Sequence, residues 1–218
     1  MRDADIAHAF AILRRARRRF DVPYVTREAE ESADPYRVLV SCVLSLRTKD
    51  ETTAAASVRL FARASTPRAM MGLAAKDIER LIFPVGFYRV KARQILDLSR
   101  RLVEEFGGRV PDDIDTLLTL RGVGRKTANL VVTMAYGKPG ICVDTHVHRI
   151  SNRWGYVRTR TPEETETALR HKLPRRYWIP INDLLVTYGQ NVCLPVSPKC
   201  SECDLRRYCD RVGVVRSR

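Results

Sequence analysis

Four of the six cysteines, Cys193, Cys200, Cys203 and Cys209, fall within residues 193–209, and only Cys42 and Cys142 lie elsewhere. Thiols placed for packing alone would not crowd into one short stretch. A disulfide framework belongs to an oxidising compartment. The opening Met1-Arg2-Asp3-Ala4-Asp5 carries no apolar stretch of signal-peptide type, so the chain is expected in the cytosol. The cluster therefore reads as a metal or metal-cluster site. Four thiolates can hold zinc or an iron–sulfur cluster. Structural zinc favours paired short spacings, whereas one C-x2-C here is flanked by gaps of six and five. Spacing alone leaves both open.

Lys and Arg number 39 against 25 Asp and Glu, a net charge of 39 − 25 = +14 on 218 residues. That imbalance points to a polyanion, most simply nucleic acid. With 44% hydrophobic residues the chain can bury a core and is neither a disordered tail nor a disulfide mini-scaffold. No apolar run approaches the roughly 18–20 residues of a membrane span. No segment alternates in strand fashion, and the predicted class is all-α. Helices are read at Val38–Leu46 after Pro35, from an Asp50 N-cap to Ala62, at Lys76–Leu81 and at Tyr88–Phe106. The last carries Val90, Ile95, Leu98 and Leu102 at near-helical spacing. Further helices are read after Asp112-Asp113 and at Arg125–Tyr136, Asp144–Trp154, Pro162–Leu173 and Tyr177–Tyr188. The arginine run Arg14–Arg19 reads first as a solvated helix face and second as a phosphate-contacting patch.

Between two of these helices lies Leu120-Arg121-Gly122-Val123-Gly124-Arg125-Lys126-Thr127-Ala128. Gly122 and Gly124 bring turn N–H groups close to a ligand just where a helix begins, which makes an anion site with phosphate as its natural occupant. Arg121 and Arg125 add charge there. A tight connection between helices is the plain alternative, but the apolar-x-Gly-apolar-Gly-basic-basic pattern is narrower than a lone G-x-G. It reads as the hairpin of a helix–hairpin–helix gripping the DNA backbone. Lys126, in the first helical turn, suits a phosphate contact and an amine nucleophile equally well. Asp144, before Thr145-His146-Val147-His148, reads first as an N-cap. Its second reading is an anion that stabilises developing positive charge or accepts a proton. His146 and His148, two apart, face different ways and read as structural.

These residues resemble the endonuclease III family of bifunctional DNA glycosylase/AP lyases in the helix–hairpin–helix superfamily. The likeness runs over nearly the whole chain, through Leu44-Ser45 with Asp50, Gly86-Phe87-Tyr88, Leu120–Ala128, Val143–His146 and C-x6-C-x2-C-x5-C. The resemblance implies that Lys126 is the Schiff-base nucleophile, that Asp144 assists base departure and that the four cysteines hold a [4Fe–4S] cluster. It further implies two helical domains flanking a DNA-binding cleft, one over 28–138 and the other formed by 1–27 with 139–218. Lys126 and Asp144 would then face each other across the cleft. Lys199, Arg206 and Arg207, in or beside the cysteine loops, read from their position as cations that a structural element presents to phosphate. Arg47 stands where the family often has a glutamine that fills the gap left by an extruded base, and Phe87 where an aliphatic wedge is common. These departures bear on opposite-base preference and lesion range rather than on reaction type.

The expected function is therefore base excision of oxidised pyrimidines from duplex DNA, followed by β-elimination at the abasic site. The expected partner is double-stranded DNA with damaged bases or abasic sites, with no membrane, and the chain acts as a monomer at the nucleoid. Two alternatives stand beside it. A monofunctional mismatch glycosylase would excise uracil, thymine or adenine, and usually lacks a lysine at position 126. A non-catalytic iron–sulfur DNA-binding protein would leave Lys126 and Asp144 without a task.

Overall fold

The computed structural model describes all 218 residues and contains helices and no strands. In chain order the α-helices are α1 Ile6–Arg17, α2 Tyr24–Ser32, α3 Pro35–Ser45, α4 Asp50–Arg63, α5 Pro67–Met71 and α6 Ala75–Ile82. They continue with α7 Tyr88–Phe106, α8 Ile114–Thr119, α9 Arg125–Leu130, α10 Thr145–Arg153, α11 Pro162–Lys172 and α12 Pro180–Asn191. The chain divides into two compact units, residues 24–138 and residues 1–23 together with 139–218. The all-α class is as read from the sequence.

In the 24–138 unit, α3 is apolar on every side and is buried accordingly. Val38, Leu39, Val40, Ser41, Cys42, Val43 and Leu44 are consecutive and all buried. Helices α2, α4, α7 and α9 pack around it. Asp34 caps its start, accepting the N–H groups of Tyr36 and Arg37, and Pro35 sits in its first turn, where a missing N–H costs nothing. In the other unit, α1 and α10 both pack on α12, burying Phe10, Leu13, Ile150, Leu185 and Tyr188.

Several local expectations are corrected. Asp50 begins α4 rather than capping it. The preceding residue, Lys49, makes no side-chain cap, and both Asp50 oxygens instead accept the Tyr24 N–H at 3.0 Å, holding the start of α2. Helix α2 escaped the sequence reading because its inward face includes Thr26 and Glu28. Glu28 is buried only because the Tyr24 hydroxyl and the Arg37 guanidinium both reach it, at 2.6 and 2.7 Å. The expected helix over 125–136 is α-helical only to Leu130, and Val131–Ala135 winds as a π-helix. There the Thr133 hydroxyl donates to the Asn129 and Leu130 carbonyls, competing with the α-helical ladder. The helix expected at Tyr177–Tyr188 runs from Pro180 to Asn191, after a single 3-10 turn at Arg175–Tyr177.

In the arginine run, Arg17 pairs with Asp183 and Arg19 with Asp204, while Arg14, Arg15 and Arg18 are exposed. The solvated-face reading thus holds for part of the run, and two of its members tether α1.

Because α3 is enclosed on every side, Leu39→Ala should lower stability by about 2–5 kcal/mol. Val58→Ala, on the exposed side of α4, should change it by less than about 0.5 kcal/mol. Urea unfolding, followed as a fall in midpoint at unchanged slope, checks both.

Candidate functional sites

The hairpin between α8 and α9 is built from Leu120 to Gly124. The Asp113 carboxylate caps α8 at the Thr116 N–H, 2.8 Å away. Leu120 and Val123 are buried and anchor the turn, while Arg121, Gly122, Gly124, Arg125 and Lys126 are exposed. The two glycines do different work. Gly122 has φ +81°, a conformation that L side chains rarely adopt. A Cβ there would lie 2.0 Å from the Gln94 amide nitrogen, which donates to the Gly122 carbonyl at 3.0 Å. Gly124 has φ −90°, which any residue accepts, and a Cβ there would meet nothing within 4 Å. Its bare backbone therefore faces open space at the point where α9 begins, where the free N–H groups of a first helical turn are found.

Lys126 follows in that first turn of α9. It lies close enough to α3 for its charge to act on the Cys42 thiol, which burial pushes up to about 12 and the ammonium opposes. Arg121 lines a groove with Val90, Arg93, Gln94, Asp97 and Gly122, so cations stand on α7 and on the hairpin alike. Gln94 as a brace for the hairpin was not found by sequence reasoning; a glutamine on a helix face carries no signal of its own.

Arg47 and Phe87 also come together in this unit. The Arg47 guanidinium lies over the Phe87 ring, 5.8 Å from its centroid. Both residues hold left-handed backbone, with φ +52° and +58°, and Phe87 is 62% exposed. Two large side chains in a region that strongly favours glycine store strain, a state that persists only where the surroundings over-determine it. The contact between their loops is close: a Cβ on Gly86 would lie 2.6 Å from the Arg47 carbonyl oxygen.

The remaining candidate residues lie in the unit formed by 1–23 and 139–218. Asp144 is the N-cap of α10, accepting the His146 and Val147 N–H groups, both at 2.9 Å, and it is 9% exposed. Its side chain is thereby held by two donors of the helix it begins. His148 meets Thr165 at 2.7 Å, and His146 meets Arg149 at 3.1 Å.

The four clustered cysteines line one cavity with Arg153, Trp154, Tyr188, Val192, Pro198 and Lys199. Four thiols on one cavity are a donor set for zinc or for an iron–sulfur cluster. Burial raises the Cys203 thiol and pushes Cys209 up to about 11, and the neighbouring thiols raise both further. Lys199, expected as a phosphate contact, lines this cavity and is half-buried.

Residues 40–175 match the HhH-GPD superfamily of base excision DNA repair proteins. The chain is 52% identical over 180 residues to endonuclease III of Thermotoga maritima, a match covering 83% of this chain and 84% of that one. A structure described as a non-covalent endonuclease III–DNA complex aligns with a TM-score of 0.84 at 32% identity, over 97% of this chain and 96% of that chain. A trapped endonuclease III–DNA covalent intermediate aligns with a TM-score of 0.77 at 37% identity, over 82% of this chain and 84% of the other.

Gly122→Ala must both hold a left-handed φ and displace Gln94 from the Gly122 carbonyl. It should lower stability by about 1–3 kcal/mol, whereas Gly124→Ala should leave the thermal midpoint nearly unchanged. Parallel melting curves check the contrast.

Proposed function

Since this chain belongs to the HhH-GPD superfamily of base excision DNA repair proteins, we propose that it is a bifunctional DNA glycosylase and AP lyase of endonuclease III type. Its substrate is duplex DNA carrying oxidised or ring-saturated pyrimidines. The observation that carries the reading is the exposed Lys126 in the first turn of α9, two residues beyond the unobstructed backbone of Gly124. A DNA phosphate seated on the hairpin N–H groups, beside Arg121 and Arg125, would hold the backbone near the Lys126 amine.

The chemistry follows from these groups. Binding through phosphates makes affinity fall steeply with salt. The damaged nucleotide is extruded, and Arg47 with Phe87 fills the gap. The Lys126 amine attacks the sugar C1′ and the base leaves with the bonding electrons. The opened sugar remains as a Schiff base on the lysine. Loss of a C2′ proton then expels the 3′ phosphate, which cuts the strand. Asp144, held as a carboxylate acceptor by two N–H donors, stabilises positive charge developing at the sugar and assists proton transfer.

Cys193, Cys200, Cys203 and Cys209 would hold a [4Fe–4S] cluster, which supplies a structural cross-link for the C-terminal loops and no step of the reaction. The site of action follows the substrate, the nucleoid DNA of the cytoplasm. No helix of the chain is long and apolar enough to cross a membrane.

Borohydride trapping on a duplex bearing thymine glycol or dihydrouracil tests the reading, beside a duplex with a preformed abasic site. The wild type should form a covalent adduct on both, and Lys126→Ala on neither. Trapping on the abasic duplex alone would keep the lyase and remove the oxidised-pyrimidine assignment. No adduct on either would return the protein to a monofunctional or binding-only class. Cys203→Ser should independently lose visible iron–sulfur absorbance in the purified protein.

A further inference from the structure

Helix α7 turns Ile95, Leu98 and Leu102 inward as its apolar spacing predicts, but not Val90 at its start. Its buried residues are Lys91, Ala92, Ile95, Leu98, Ser99 and Leu102, while Val90 is 63% exposed. A lysine has taken the inward place at the start of the helix and is 5% exposed. Its ammonium donates to the Leu44 carbonyl at 2.9 Å, to the Leu46 carbonyl at 2.5 Å and to the Thr48 hydroxyl at 3.2 Å. Burial pulls it down to about 8, so at neutral pH it keeps three protons for three oxygens.

Those acceptors are specific in their placement. Leu44 and Leu46 lie at the C-terminal end of α3, where helix carbonyls run out of intrahelical partners. Leu46 and Thr48 flank Arg47. The Thr48 hydroxyl also accepts the Gly86 N–H at 3.1 Å, and Gly86 immediately precedes Phe87. One buried ammonium therefore ties together the two loops that carry the two left-handed residues, Arg47 and Phe87. Each turn is also closed locally, by the Thr48 N–H on the Ser45 carbonyl at 3.1 Å and the Tyr88 N–H on the Val85 carbonyl at 3.0 Å, and the ammonium adds the tie from α7 to the end of α3.

We propose that Lys91 is the positioning residue of the gap-filling wedge: its three hydrogen bonds hold the Arg47 and Phe87 loops in register, and with them the extrusion step. This rests on the glycosylase reading above. Lys91 touches neither substrate nor reacting atoms. Its loss acts through Arg47 and Phe87, on opening a base pair rather than on Schiff-base chemistry. An abasic nucleotide has no base pair to open, so it should be the less affected substrate.

The test compares the full chain with Lys91→Met, which keeps an unbranched apolar stem and removes all three donors, and with Thr48→Val, which removes one acceptor. Single-turnover excision is measured on a duplex with dihydrouracil opposite 2-aminopurine, and borohydride trapping on a duplex with a preformed abasic site. Excision by Lys91→Met should fall roughly tenfold or more, and the 2-aminopurine fluorescence change on saturating binding should be lost. Adduct yield on the abasic duplex should stay within about twofold of wild type, and Thr48→Val should move the same way by less. Unchanged excision and fluorescence in Lys91→Met would overturn the proposal. Equal losses on both substrates would overturn it too, by assigning Lys91 a general structural role. If Lys91→Met does not fold, Thr48→Val decides by the same two readouts. A wild type inactive on both duplexes would instead overturn the glycosylase reading, and the wedge assignment with it.

Discussion

The complete enclosure of α3 sets terms for everything around it in the 24–138 unit. A helix can be buried on all sides only if its ends are satisfied, because a peptide group left unpaired away from water costs about as much as a lost hydrogen bond. Asp34 meets that need at the start. At the other end the donor comes from outside the helix, as the Lys91 ammonium on the Leu44 and Leu46 carbonyls. A charge that would be expensive to bury alone is tolerated because each of its protons finds an oxygen. The loop leaving α3 is therefore shaped by the same contact that ends the helix. That loop carries Arg47, so core packing and a proposed DNA-reading residue share one hydrogen-bonding group.

The unit formed by 1–23 and 139–218 meets a different difficulty. Beyond Asn191 its only regular element is the short 3-10 turn at Arg206–Tyr208. Its backbone groups pair through turns and irregular contacts, and two arginines of α10 serve the carbonyls of Cys193, Leu194 and Pro195. Arg149 donates to the Gly189 and Cys193 carbonyls at 3.3 and 2.9 Å, and Arg153 to those of Leu194 and Pro195 at 2.6 and 2.7 Å. Arg153 also reaches the Cys193 sulfur at 3.4 Å. A planar guanidinium with five fixed donors suits this task, since a lysine could not serve diverging carbonyls in one plane. The same helix begins at Asp144, so the proposed charge-stabilising carboxylate and the cysteine loop are held by opposite ends of α10.

The candidate chemistry was more legible in the sequence than its supports were. Lys126 and the hairpin glycines announced themselves because a short, odd pattern fell between two apolar periodicities. Asp144 was readable as an N-cap because aspartate before a helix has few other uses. Lys91 and Gln94 carried no comparable signal. An apolar-periodicity reading places Val90 inward, and only the end of α3 makes the neighbouring lysine the better choice. Asp50 misled for a related reason. It has the right residue type for a cap, but its oxygens serve the N-terminus of another helix 26 positions earlier in the chain. Long-range partners of this kind are invisible to a local reading. The two glycines also proved unequal, since φ +81° demands glycine at 122 while nothing within the protein demands it at 124.

Net charge shows the same distinction between a total and its placement. Of the arginines, Arg17, Arg19, Arg37 and Arg101 are paired with carboxylates and add little to the external field. Arg59, like Arg149 and Arg153, keeps its charge while donating to backbone carbonyls, so it counts toward +14 but is fixed by the fold. The cations that a polyanion could meet in the 24–138 unit include Arg47, Arg89, Arg93, Arg121, Arg125 and Lys126, all exposed. They come from three stretches of chain that converge through Lys91, Gln94 and Gly122. Composition alone supplies the attraction to a phosphate backbone. What would turn attraction into a defined approach is that these side chains stand on segments locked to one another, so that in the proposed reading a strand held at the hairpin meets Lys126 in a fixed relation to Arg47 and Phe87.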